Sequence, residues 1–217
     1  RESTALSLAS MPTPSPDAPR LLMVDPDPSF VTALRAEPGM ALVEMDAAAG
    51  GADALRLLRA HSYDAIFTSP ASPIREDLAL LEEMQLVRPG AKAFVLAPHA
   101  APEEVIATLR AHAFACFLAP WEMAQVAEMV RRAVQEPGWR DGLQVLSARS
   151  DWLSLRVDCR RLAAERLLHF LGELARDVPD VTRDDLLTAF REIVLNAMEH
   201  GAGFAPVYAG SPSARVR

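Results

Sequence analysis

Glu192 and Asn196 stand four residues apart in "FREIVLNAMEHG" (190–201), so on a helix they share one face, a turn apart. A carboxylate can accept a proton and an amide oxygen suits a hard cation, so the residue types are those of a metal-assisted proton transfer. Spacing alone proves little, because most such pairs on a polar helix face are simply solvated. Leu186, Leu187, Phe190, Ile193, Val194, Ala197 and Met198 form the opposite stripe and predict a helix over 184–200, with Glu199 near the polar pair. Elsewhere, chemistry-bearing residues are sparse. His61, His99, His112, His169 and His200 show no ligand spacing, and Cys116 and Cys159 read as separate buried thiols.

The elements that must position these residues fall into two groups. From Arg20 on, the apolar runs at 21–24, 41–45, 65–67, 93–97 and 115–118 read as buried strands. Helices are expected at 28–37, 52–60, 76–87, 102–112 and 121–135. Five such units imply an α/β fold, a doubly wound five-stranded parallel sheet with helices on both faces. Pro137 and Gly138 break the last helix, and 140–150 reads as a connector whose Leu143, Val145 and Leu146 are also able to extend that helix. "WLSLRVD" then alternates, with Leu153, Leu155 and Val157 on one face, and predicts a strand over 152–157. A helix over 160–176 carries Leu167, Leu168, Phe170, Leu171 and Leu174. After Pro179, Thr182 with Asp185 three residues on resembles a capping box opening the next helix. A strand is expected to begin at Ala214. The expected domains are a disordered Pro-rich tail (1–19), an α/β domain (20–136), a linker (137–150) and a partial α+β segment (151–217).

The 217 residues carry a net charge of −7, which argues against nucleic acid, whose binding needs a concentrated basic surface. Apolar runs fall short of the roughly 20 residues that cross a bilayer, and the start lacks the order of a signal peptide, so a cytoplasmic location with no membrane contact is expected.

"LLMVDPDPSFVTAL", "AAAGGADALRLLRAHSYDAIFTSPASP" and "AHAFACFLAPW" together resemble a response-regulator receiver domain over about 20–136. The resemblance implies a flavodoxin-like fold and a bacterial-type two-component signalling role. Working receivers carry a phosphoacceptor aspartate at the end of the third strand, two acidic residues for Mg²⁺ after the first, and a hydroxyl residue and a lysine beside them. Here the acceptor position holds Ser69. Asp25 keeps the first acidic place, Pro26 takes the second, and Asp27 stands one further on. Ala97 replaces the hydroxyl residue, and Ala119 replaces the lysine before Pro120. A serine forms no acyl phosphate, so the expectation is a phosphorylation-incompetent pseudo-receiver that acts by contact. Receivers dock or dimerise through the fourth helix, fifth strand and fifth helix, here 102–135, with Trp121 and Met123 as possible anchors or core residues.

"FREIVLNAMEHG" resembles the N box of the GHKL ATPases, near the anti-sigma-factor serine kinases and histidine-kinase-like enzymes, over about 151–205. The resemblance assigns the catalytic carboxylate to Glu192 and the Mg²⁺ ligand on Mg-ATP to Asn196. The family's Asp-x-Gly-x-Gly turn and Gly-rich lid are not in this sequence, so the chain is expected to be cut short and to bind no cofactor itself. Mg-ATP and ATPase or protein kinase activity then belong to a completed parent protein. Its expected partners are signalling proteins, with homodimerisation through the 102–135 face or the 151–200 segment. The exposed apolar surface of 151–217 must find cover on the receiver-like domain, on a second copy, or not at all.

Overall fold

The computed structural model describes residues 18–69, 71–136, 139–149, 152–201 and 213–216. Most of the predicted tail, Pro137 and Gly138, and 202–212 lie outside the described residues.

The first half runs β1 (Arg20–Val24), α1 (Pro28–Ala36), β2 (Glu44–Ala48), α2 (Gly51–Ala60), β3 (Ala65–Phe67), α3 (Ile74–Val87), β4 (Ala93–Ala97), α4 (Pro102–Arg110), β5 (Ala115–Leu118) and α5 (Met123–Gln135). The strands pair in parallel in the order β2-β1-β3-β4-β5, a doubly wound, flavodoxin-like sheet. Alternate strand residues face opposite layers. Leu21, Met23, Phe67, Phe94 and Phe117 pack with Phe30, Leu34, Val126 and Val130 of α1 and α5. Leu22, Val24, Ile66, Val95 and Cys116 pack with Leu55, Leu58, Leu81, Val105 and Leu109 of α2, α3 and α4.

The central strands are continuous apolar runs, which is why they sit where the pattern puts them. β2 does not: it starts three residues later than expected, and Leu42 is left exposed. As an edge strand it is held by pairing instead, with Arg20 of β1 opposite Glu44 and salt-bridged to Glu44 and Asp46.

The second half runs β6 (Leu143–Ala148), β7 (Leu153–Asp158), α6 (Arg161–Leu174), α7 (Asp180–Gly201) and β8 (Ser213–Val216). These strands form an antiparallel sheet in the order β6-β7-β8. The expected connector at 140–150 therefore contains a strand. Leu143 and Val145 turn inward, and a bulge between Val145 and Ser147 leaves Leu146 outside, so the run mimics a helix period where a strand bends. Gly142 permits the entry, since a Cβ there would lie 3.0 Å from Ala163 Cβ.

α7 begins at Asp180, not at Thr182, which is an exposed residue of its first turn. Its expected stripe divides. Val194 is buried, with Phe190 and Met198 packed beside it, whereas Leu186 and Ile193 are exposed at 43 % and 57 %. Of the three covers foreseen for this segment, the first is realised. Leu143, Leu155, Val157, Ala163, Leu167, Phe170 and Val194 join the same core cluster as the α2–α3–α4 layer of the larger sheet.

Candidate functional site

The residues of the expected acceptor pocket meet at the carboxyl ends of β1, β3, β4 and β5, where doubly wound sheets place their sites. Ser69 is buried, with its hydroxyl 3.4 Å from Asp25 Oδ2, and it accepts a hydrogen bond from the Ala71 amide at 3.2 Å. The Ser69–Asp25 separation exceeds the roughly 2.6–3.2 Å across which a base takes a proton. Asp25 holds a positive φ of 42° and its amide donates to Ala48 O at 2.7 Å. Ala97 and Ala119 supply only methyl groups and are bridged by the Ala119 amide donating to Ala97 O at 3.0 Å.

Asp27 is engaged elsewhere. Its Oδ1 accepts from the amides of Ser29 at 2.7 Å and Phe30 at 3.2 Å, capping α1 ahead of Pro28, and from the Ser29 hydroxyl. These bonds, the hydroxyl's foremost, hold its carboxyl below the usual range. A substitute Mg²⁺ ligand would have to give up the cap. Among the described residues no three acidic, His or Cys side chains converge as a metal site. The residues present therefore do not fit the receiver's magnesium cradle.

The chain's one lysine settles the cationic partner. Lys92 precedes β4, at the opposite end of the sheet from Ser69, and its buried ammonium donates to Ala133 O at the end of α5. Burial pushes its pKa down. It serves as a helix C-terminal cation and lies a strand length from the pocket.

Within the 102–135 face the β5 edge is covered, whereas α4 and α5 keep exposed residues such as Glu103, Arg110, Ala124 and Gln125. α6 lies along the outer edge of β5, and three of its polar side chains, with Arg176 from the turn that follows, bond the backbone there. Arg166 donates from Nε to Phe114 O at 2.8 Å and from Nη2 to Ala113 O at 2.9 Å. His169 Nε2 donates to Cys116 O at 2.6 Å; burial pushes this imidazole down to about 4, so it is neutral. Glu173 Oε2 accepts from the Leu118 amide at 3.2 Å, and Arg176 donates to Ala119 O at 2.9 Å. Residues 166, 169 and 173 recur on one helix face, so a helix does for this edge what a sixth strand would do. Arg166 is fully buried, salt-bridged to Asp141 Oδ1 at 2.8 Å and stacked between Phe114 and Trp139. Arg132 of α5 pairs with Glu165 of α6. Trp121 meets Phe30 edge-on at 5.5 Å and packs, half-buried, against the α1–α5 core layer. Nothing in the sequence marks the polar face of α6 as buried; its only signal is that the apolar residues of this helix exceed one face.

A cleft of about 960 Å³ runs from Ala119 and Trp121 to the α6–α7 turn, with Glu122, Asp177, Asp180 and Asp184 against Arg176 and Arg183.

Comparison with known proteins follows the topology. No family model matches this chain, and no curated protein matches it. Solved structures do resemble it. A CheY-like response regulator receiver domain protein from Methanospirillum hungatei is 22 % identical over 54 % of this chain and 94 % of its own, with a TM-score of 0.48. A response regulator from Thermotoga maritima is 19 % identical over 55 % and 99 %, with a TM-score of 0.49. The signal receiver domain of an HD domain-containing protein from Pseudomonas fluorescens is 17 % identical over 54 % and 95 %, at 0.47. At that identity a likeness speaks to fold at most and not to chemistry.

Glu192 and Asn196 are both exposed on α7, away from its buried face. Among the described residues no helix is long and apolar enough to cross a membrane.

Proposed function

We propose that this chain is a phosphorylation-incompetent, receiver-type signalling module that acts by protein contact and regulates an attached histidine-kinase-like ATPase domain in the cytoplasm. One observation carries this reading. Four of the five groups that acyl-phosphate chemistry needs are replaced together: Ser69 for the nucleophile, Pro26 for the second metal carboxylate, Ala97 for the hydroxyl and Ala119 for the lysine; Asp25 alone keeps its place, and the nearby Asp27 is engaged in the α1 cap. What remains of a receiver is its surface. With the β5 edge taken by α6, contact falls to the acidic cleft at the α6–α7 turn and to the exposed residues of α7, and self-association is assigned to the 151–200 segment through Leu186 and Ile193.

The test is magnesium with beryllofluoride, followed by amide spectra of the folded chain. A contact-only module leaves the amides of 25, 69, 97 and 119 in place; a saturable shift of these residues refutes it.

A second reading is favoured by α7. The order of β7, α6 and α7, with Glu192 and Asn196 solvent-facing on the last, suits the N-terminal part of a GHKL ATPase or protein kinase, in which Glu192 polarises the attacking group and Asn196 holds Mg-ATP. Calorimetry of this chain with Mg-ATP asks whether these residues bind nucleotide by themselves. No heat of binding is expected from the module alone, and micromolar affinity would make the chain itself a nucleotide binder.

A further inference from the structure

Asp77 lies on the first turn of α3 and is 2 % exposed. Its Oδ2 accepts no hydrogen bond, and no salt bridge reaches it among the described residues. A carboxylate with an empty lone pair in an apolar layer is held neutral or leaves. Burial accordingly pushes its pKa up to about 7, the nearby Glu76 charge pushes the same way, and the Thr68 hydroxyl opposes them. The groups around it are few. Glu76 shares its turn, Thr68 comes from β3, and Cys116 from β5 is itself pushed up to about 12, by burial first and by Glu173 and Asp77 in lesser part. α2, β4 and α4 also lie against α3 and bring no ion pair to the carboxyl.

The turn that carries Asp77 is weakly anchored. Pro73 at its N-cap offers no side-chain acceptor, so the first-turn amides rely on the Pro73 carbonyl alone, to Glu76 at 2.9 Å and Asp77 at 3.3 Å. An aspartate turned outward at a helix N-terminus is favoured by the helix dipole and by those same amides. Thr68 links the turn to the pocket: its hydroxyl accepts from the Leu96 amide at 3.1 Å, and the next residue is Ser69.

We propose that Asp77 is a proton-operated latch: neutral, it seats the first turn of α3 in the core, and ionised, it swings that turn to solvent and loosens the backbone leading from Ser69. The device works on this chain's own residues whether or not the module signals by contact.

Amide exchange of the full chain at about pH 6 and about pH 8, corrected for intrinsic chemistry, tests the latch. Protection of Ile74 to Leu78 is expected to fall about tenfold between the two while α5 amides hold, and Asp77→Asn is expected to abolish the difference. An equal fall in Asp77→Asn, or none in the unaltered chain, overturns the proposal. If Asp77→Asn does not fold, the carboxyl ¹³C shift of Asp77 in the unaltered chain decides: titration near neutrality supports the latch, and titration in the ordinary carboxylate range overturns it.

Discussion

Arg166 Nη1 sits 2.8 Å from Asp141 Oδ1 with the guanidinium wholly buried, so an ion pair fixes the group that joins α6 to the larger sheet. The same guanidinium bonds two backbone carbonyls, of Ala113 and Phe114, which leaves few of its donors unused. Asp141 is likewise shared, between Arg166, the Leu143 amide and His112 Nδ1 at 2.7 Å. The two halves of the chain thus meet through a satisfied polar network set in a continuous apolar core.

Breaking that pair from one side strands a buried charge, which costs about 3–5 kcal/mol. Asp141→Ala is expected to lower unfolding stability by that much, read as a fall in the urea midpoint at unchanged m-value. The exposed pair Arg56–Asp53 is the control, and Arg56→Ala should leave the midpoint almost where it was. A near-silent Asp141→Ala would mean that the joint is held by its apolar contacts alone.

Asp77 gives stability a pH slope of known sign. Burial pushes the folded carboxyl up to about 7 from its ordinary 3.8, so the folded state holds the extra proton between those values. Stability is therefore expected to fall as pH rises from about 4 through about 7 and to level off above, by up to about 4 kcal/mol. Asp77→Asn should flatten that slope, raising the midpoint at pH 8 relative to the unaltered chain. Denaturation curves across the range check it.

The two thiols should differ. Burial puts the Cys116 thiol at about 12, whereas Cys159 is only half-buried at the start of α6. In the native chain a soluble disulfide reagent is expected to titrate Cys159 and spare Cys116, with both reacting once denatured. Rapid native reaction of Cys116 would show that the α4 layer opens readily.

Ser69→Asp alone should not create a phosphoacceptor. The new carboxylate would face Ala119 where a cation is needed, and Lys92 is tied at the other end of the sheet. Treatment of Ser69→Asp with acetyl phosphate and magnesium should leave its mass unchanged. Only further exchange at Pro26 and Ala119 is expected to bring it within reach of the chemistry.

Much of the larger sheet was legible because its strands are buried on both faces and read as apolar runs; β4, "AFVLA", is entirely buried and lies where the pattern puts it. Ser69, Ala97 and Ala119 were legible for a different reason, since they are identities that no packing alters. What failed were elements set by tertiary partners. β2 carries Glu44 and Asp46 and is fixed by Arg20 across the edge, which hydropathy does not see. β6 was obscured by its bulge at Leu146. Arg166, His169, Glu173 and Arg176 carry no signal of burial in the sequence, because side chains of that kind are rarely buried without partners, and the partners here are backbone groups more than forty residues away. The stripe on α7 was overdrawn at Leu186 and Ile193 because periodicity reports which side of a helix is apolar and not how much of that side a neighbour covers.

The central claim is that the larger sheet signals without acyl-phosphate chemistry. The direct measurement is the intact mass of the unaltered chain after incubation with magnesium and acetyl phosphate, followed by hydroxylamine. The account predicts no phosphoryl increment at any time point; a stoichiometric increment that hydroxylamine removes would contradict it.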